Sequence, residues 1–370
     1  MRFFATWREY RTGFDALCVR RPSPFRVGPW SQNSMKPFRT VHRLLSCAAV
    51  LMVAAAPLAC TSPYRGRTQA AGVVHLGLES PSLSTPVDVQ IWYPAAAKIL
   101  ERPMFYTSAY WGFAAPNVPA RPKGHYPLVL LAHGWRGTRF DLSWIAEDLA
   151  RKGYVVASLD APDADAKTFQ NAQAPKIWFR AALLKQLIDA MAKVSPVAAI
   201  TDTTQVAVIG HSAGGSAAMV IAGAQIDPER FAQNFPESAP VVQGDFSDAR
   251  VKAIVGLNPG TGPVFTPKGL ETVRVPTLII SGTEDCVAPE ATNAGLYASS
   301  IAHAQWQHIV GANHYTFMPV CSVWGQLRGF STCSENHPEL DRATVHAQTL
   351  KSIEAFLAQS LQKPKCPAVG

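Results

Sequence analysis

Apolar residues arrive in this chain as short solid runs, separated by segments that repeat every three or four positions. The alternation starts at residue 73. Residues 73–78 and 87–92 read as paired strands across a proline-containing linker at 80–86. Residues 96–126 are rich in aromatics, Pro and Gly and read as a long loop able to overhang a site. Residues 127–132 (PLVLLA) and 154–159 are strands, with helical spacing of Leu142, Ile145 and Leu149 between them. Residues 176–194 place Ile177, Ala181, Leu184, Leu187, Ile188 and Met191 on one helical face. Val206, Val208 and Ile209 mark the next strand, and small and apolar residues over 213–224 mark the helix after it. Strands at 250–257, 276–281 and 305–310 follow, with helices at 291–301 and 340–361. Fully apolar strands alternating with helices predict an α/β fold, a mainly parallel sheet covered on both faces.

The first 59 residues differ in kind. Residues 1–34 are Arg-rich and show no period. Met35 then opens a charged stretch with Lys36, Arg39 and Arg43, followed by an apolar run at 44–56 and small residues. That is the layout of a secretory signal, and the run is shorter than the roughly 20 residues that span a bilayer. We therefore expect Met35 as the true start, residues 1–34 as an upstream extension, 1–59 as leader and 60–370 as a single domain. Residues 57–60 (PLAC) resemble a bacterial lipoprotein cleavage box with Cys60 as the lipid-bearing residue, although Pro57 departs from its usual pattern. Lipid attachment and free secretion both stay open, and either takes the protein out of the cytoplasm.

Charge and cysteine content sharpen this picture. The net charge of +8 suggests a basic surface, yet residues 1–59 hold nine Lys and Arg against Glu9 and Asp15, which accounts for all but +1. A nucleic-acid partner is thereby excluded from the expectation. Besides Cys60, the body carries Cys286, Cys321, Cys333 and Cys366, and an exported chain can keep disulfides. Cys321–Cys333 is the favoured pair, with Cys286 as the alternative partner. No spacing of Cys and His suits a metal, and no cofactor is called for.

The chemistry centres on Gly210-His211-Ser212-Ala213-Gly214, which fits G-x-S-x-G between a strand and a helix. Asp285 and His314 follow later strands, so the three lie at the carboxyl ends of strands in the order Ser, Asp, His. A serine hydroxyl is a poor nucleophile until a base takes its proton. His314 is the candidate base, and Asp285 the acid that orients it. Glu284 could exchange roles with Asp285. His211 reads as packing in the turn, His303 and His308 as ordinary, and Asp160, Asp163 and Asp165 as a solvated turn.

Six stretches carry a further resemblance: VDVQIWYPA (87–95), LLAHGWRGTR (130–139), VIGHSAGGSAAM (208–219), RVKAIVGLNP (250–259), VPTLIISGTEDCVAP (275–289) and GANHYTF (311–317). Over about residues 73–361 the chain resembles the α/β-hydrolase superfamily, and within it bacterial predicted dienelactone hydrolases, a group akin to platelet-activating-factor acetylhydrolases. The resemblance implies an oxyanion hole made by the backbone N–H groups of Ala213 and Trp135, with His133 and Gly134 shaping the turn. Two departures stand out. True dienelactone hydrolases use a cysteine where this chain has Ser212, and plasma-type acetylhydrolases carry their acid where it has Asn258. Polyester-degrading relatives place a tryptophan after the strand that here ends in Asn258-Pro259-Gly260, and its absence lowers the expectation of a polyester substrate. The expectation is an exported serine hydrolase of small-molecule or lipid carboxylic esters. Acetylhydrolase or phospholipase-like action, amide hydrolysis, and a non-catalytic binding protein on the same scaffold are the alternatives. Nothing in the sequence speaks to oligomeric state.

Overall fold

Ten strands share one sheet, in the order 304–309, 277–282, 251–257, 201–211, 126–132, 155–159, 87–94, 71–78, 111–116 and 102–105. In this computed structural model the described residues are 69–361, apart from 123, 163–175, 194, 237, 239, 336 and 338. They fall within one unit, Ser62–Gly370. The leader, Cys60, Cys366, Asp163 and Asp165 lie outside the described residues.

The apolar runs become β5 (Tyr126–Ala132), β6 (Val155–Leu159), β7 (Thr201–His211), β8 (Val251–Leu257) and β9 (Thr277–Gly282), with the more polar and exposed β10 (Ala304–Ile309) at the edge, all mutually parallel. β1 (Ala71–Leu78) and β2 (Val87–Pro94) pair antiparallel, and β2 runs antiparallel to β6. The pleat sends alternate side chains to opposite faces. Leu128, Leu130, Val206, Val208 and Ile254 join one core beneath α2 (Ile177–Lys193), α3 (Ala213–Ile221) and α6 (Ala294–Ser300). Val129, Leu131, Ala207, Ile209 and Val255 join the other, beneath α1 (Ser143–Arg151) and α8 (Arg342–Ser360). Burial on both faces explains why β5, β6, β8 and β9 read as continuous apolar runs.

The segment at 96–126 differs from its expected form as a loop. It contains β3 (Arg102–Phe105) and β4 (Trp111–Pro116), which extend the sheet edge beyond β1. Four residues with Pro103 among them make a poor strand signal, but proline is tolerated on an edge. A buried ion cluster fastens this edge to α1. Arg151 donates to Glu101 Oε1 at 2.7 Å and to the Phe113 carbonyl at 2.7 Å, and Tyr106 and the Phe113 N–H both donate to Glu147 Oε1. Short helices α4 (Pro228–Asn234), α5 (Pro267–Leu270) and α7 (Val323–Leu327) were not legible as periodic runs, since each is shorter than two full turns. Among the described residues, no helix is long and apolar enough to cross a membrane.

Strand order sets the position of the site. From β5 the chain moves to β6 on one side, then returns to β7 on the other and continues outward to β10. The reversal falls between β5 and β7, the switch point where open α/β sheets leave a crevice beyond their carboxyl ends.

Candidate active site

Ser212 stands at that switch point, on the turn between β7 and α3. Its φ of 53° lies in the left-handed region, which L-residues avoid. The turn is so tight that it admits no β-carbon on either flank. One added to Gly210 would meet the Gly214 carbonyl oxygen at 2.1 Å, and one added to Gly214 would meet the Ala132 carbonyl oxygen at 2.0 Å. The two glycines of the motif are thus the condition for holding the serine hydroxyl clear of the sheet.

Two neighbouring loops converge on that hydroxyl. After β9, Asp285 is buried, and its Oδ1 accepts from the N–H groups of Val287 at 2.9 Å and Ala288 at 2.7 Å. After β10, the buried His314 donates from Nδ1 to Asp285 Oδ2 at 2.7 Å. Its Nε2 lies 3.0 Å from Ser212 Oγ, within hydrogen-bond distance. The geometry links Oγ, imidazole and carboxylate in one relay. Glu284 points elsewhere: its Oε1 lies 2.7 Å from Nε2 of His337 on the surface.

The third wall is the turn after β5. Gly137 N–H donates to the Gly134 carbonyl at 3.1 Å, closing a turn over residues 134–137 in which Arg136 has φ of 63°. A β-carbon on Gly134 would lie 3.2 Å from Ser212 Cβ, so the turn abuts the serine directly. Trp135 occupies the second position of this turn. Ala213 is the first residue of α3, and its N–H has no carbonyl to reach within the helix. The positive end of the helix dipole faces the same point.

Three histidines pack around these groups and hold no relay position. His133 donates from Nδ1 to the Gly134 carbonyl at 2.7 Å and accepts the Ala161 N–H at Nε2, 2.9 Å away. Both bonds need the neutral ring, and burial, with Arg180 nearby, pushes its pKa down to about 3. His211 is buried and donates from Nε2 to the main-chain carbonyl of His314 at 2.9 Å; burial, then the His314 ring beside it, lowers its pKa to about 3. His346, on α8, stacks on Trp144 with ring centres 3.7 Å apart and bonds the Thr316 carbonyl at 3.1 Å. His303 contributes its carbonyl to the start of β9, and His308 pairs with Glu290 at the surface. Asp160 is buried against Arg139 rather than solvated.

Sequence reasoning missed two supporting residues. Asn258, just after β8, is buried and joins the end of β9 to the loop after β10: its Oδ1 accepts from Gly282 N–H at 2.7 Å, and its Nδ2 donates to the Asn313 carbonyl at 2.9 Å. Arg180 on α2 is buried behind the 133–135 turn. A charged residue interrupting the apolar face of 176–194 was the one available sign of it. Cys321 and Cys333 form a disulfide, and Cys286 is disulfide-bonded as well, which removes it as their alternative partner. Among the described residues, no group of three or more His, Cys, Asp or Glu could hold a metal.

Known proteins resemble this chain in part. A family model described as PET hydrolase-like matches residues 104–236. Cutinase 2 of Thermobifida cellulosilytica is 28% identical over 204 residues, covering 53% of this chain and 63% of that protein. Cutinase cut1 of Thermobifida fusca is 28% identical over 53% of this chain and 51% of its own length. The chain thus spans between half and two thirds of the length of these relatives. Among solved structures, a ferulic acid esterase from Streptomyces cinnamoneus superposes with a TM-score of 0.58 at 19% identity, covering 84% of this chain and 96% of that one. The parallel six-strand core, the crossing between β5 and β7 and this structural likeness together identify the fold: the chain has the α/β-hydrolase fold.

Proposed function

We propose that this protein is a serine hydrolase of carboxylic esters that works through an acyl-enzyme. The observation that carries the reading is the buried relay, with Ser212 Oγ 3.0 Å from His314 Nε2 and His314 Nδ1 2.7 Å from Asp285. In the first step Ser212 Oγ attacks the ester carbonyl carbon as its proton passes to His314 Nε2. The carbonyl oxygen becomes an oxyanion, taken by the N–H groups of Ala213 and Trp135. Collapse breaks the bond to the alcohol, which leaves with the proton from His314. Water then attacks the acyl-enzyme, His314 takes its proton, and the acid is released as Ser212 regains the hydrogen. Asp285 holds the ring in the Nδ1–H tautomer throughout and stabilises the imidazolium. No cofactor enters these steps.

The strain at Ser212 supports catalysis over a binding role on a hydrolase scaffold, because a left-handed serine costs energy that binding does not need. Similarity to cutinases and to PET hydrolase-like proteins supports ester substrates of cutin or polyester kind, with the missing tryptophan after Asn258-Pro259-Gly260 weighing against the polyester. Asn258, engaged through both ends of its amide, supplies no acid of the plasma acetylhydrolase kind. Gly260 borders the serine, with a β-carbon there falling 3.3 Å from Oγ, so residue 260 itself offers no side chain to the substrate. The kinship to predicted dienelactone hydrolases rests on the sequence stretches alone.

A series of p-nitrophenyl esters of increasing acyl length tests the reading, together with labelling by a fluorophosphonate. Turnover and labelling should both be present and both vanish in Ser212→Ala. Full turnover in that variant would overturn the proposal. The same reading takes residues 35–59 as an export segment, with Cys60 free or lipidated. The intact mass of the mature protein from its own host, beginning near residues 57–60, is the expected result, and a mature N-terminus at Met1 would sink it.

A further inference from the structure

Within the 133–137 turn, one carbonyl receives three donors. The Gly134 oxygen accepts from His133 Nδ1 at 2.7 Å, from Gly137 N–H at 3.1 Å and from Arg180 Nη2 at 3.3 Å. Arg180 Nη1 also donates to the His133 carbonyl at 2.5 Å. Its guanidinium therefore bridges two consecutive carbonyls of the turn. The side chain is 2% exposed and rises from α2 beside Ile177, Ala181 and Leu184, which fix the helix against the sheet. Asp141, also buried, lies close enough to interact with the cation.

We infer that Arg180 is a positioning residue for the oxyanion hole. This rests on the ester-hydrolase reading above. A peptide unit is planar and trans, so the Gly134 carbonyl and the Trp135 N–H point in opposite directions. Donors that fix the carbonyl thereby fix the opposite Trp135 N–H, in a turn that already abuts Ser212 at Gly134. A cation on that carbonyl also polarises the amide, and hydrogen bonds in series strengthen one another in a dry interior. The Trp135 N–H becomes a better donor to developing negative charge without moving during the reaction. Arg180 itself touches no substrate atom.

A role of this kind acts on the transition state and leaves ground-state binding alone. The test compares wild type, Arg180→Gln, Arg180→Lys and Ser212→Ala as full-length proteins. For each we would measure kcat and KM on p-nitrophenyl butyrate, the dissociation constant of an alkylboronic acid that forms a tetrahedral adduct on the serine, and the thermal midpoint. Arg180→Gln should lower kcat by about 10- to 100-fold, less than outright loss of an oxyanion donor, with KM changed less than about twofold. Boronate affinity should fall by a similar factor. Arg180→Lys, which keeps the charge but reaches one carbonyl at most, should fall between the two and decides the matter if the Gln variant fails to fold. Unchanged kcat and boronate affinity in a folded variant would overturn the inference, as would losses that vanish once rates are normalised to titrated active sites. An inactive wild type, or a Ser212→Ala variant as active as wild type, would instead overturn the hydrolase reading beneath it.

Discussion

The Asn258 side-chain amide donates to the carbonyl oxygen of Asn313 at 2.9 Å, one residue before His314. Its other end accepts the Gly282 N–H, three residues before Asp285. A single buried amide therefore spaces the end of β9 from the loop of His314, the segments that lead to the proposed acid and base. Replacing it by Asp keeps the acceptor and removes the donor, leaving a carboxylate facing a carbonyl oxygen. Asn258→Asp should destabilise the protein by about 2–3 kcal/mol in urea titration and lower kcat by an order of magnitude or more. Wild-type stability and kcat in this variant would show that the amide does not set the loop spacing.

The identity of the acid can be checked by exchange. Asp285 contacts His314, while Glu284 meets His337 at the surface. Asp285→Asn should reduce kcat by on the order of 10⁴-fold, and Glu284→Gln should stay within about twofold of wild type. The reverse pattern in initial-rate assays would move the acid by one residue.

The Cys321–Cys333 bond closes a loop of sequence separation 12 that follows the histidine loop. Cross-linking of that length removes unfolded-state entropy worth about 3 kcal/mol. The double variant Cys321→Ser/Cys333→Ser should lose about 2–3 kcal/mol in equilibrium denaturation. Denaturation midpoints that coincide for the two proteins would remove this role.

Acid sensitivity follows from the buried rings. Burial lowers the pKa of His346 from 6.5 to about 3, as it does for His133 and His211. Between those values the unfolded chain binds more protons, so stability is present above pH 6.5 and falls as pH drops toward 3. Glu147 works in the opposite sense. Burial raises its pKa from 4.5 to about 7, so its contribution declines as pH rises through that interval. His346→Phe, which keeps a ring under Trp144, should flatten the acid-side loss of stability by about 1–3 kcal/mol between pH 6.5 and 4. Glu147→Gln should steepen it. Identical pH profiles for wild type and His346→Phe would refute the assignment.

The parallel strands and covering helices were legible because burial on both sheet faces demands solid apolar runs, and 127–132, 250–257 and 276–281 are such runs. Composition hid the edge strands β3 and β4, since an edge tolerates Pro103 and one wet face. Ser212, Asp285 and His314 could be named from motif, strand ends and order, all of which are local or serial properties of a chain. Asn258 and Arg180 could not. Their roles consist of hydrogen bonds to carbonyls 55 and 47 residues away, and any residue can supply a carbonyl. The sequence by itself determined which groups could react and roughly where the sheet would present them. Only the tertiary structure decided what holds them in place, because main-chain partners leave no mark on residue identity.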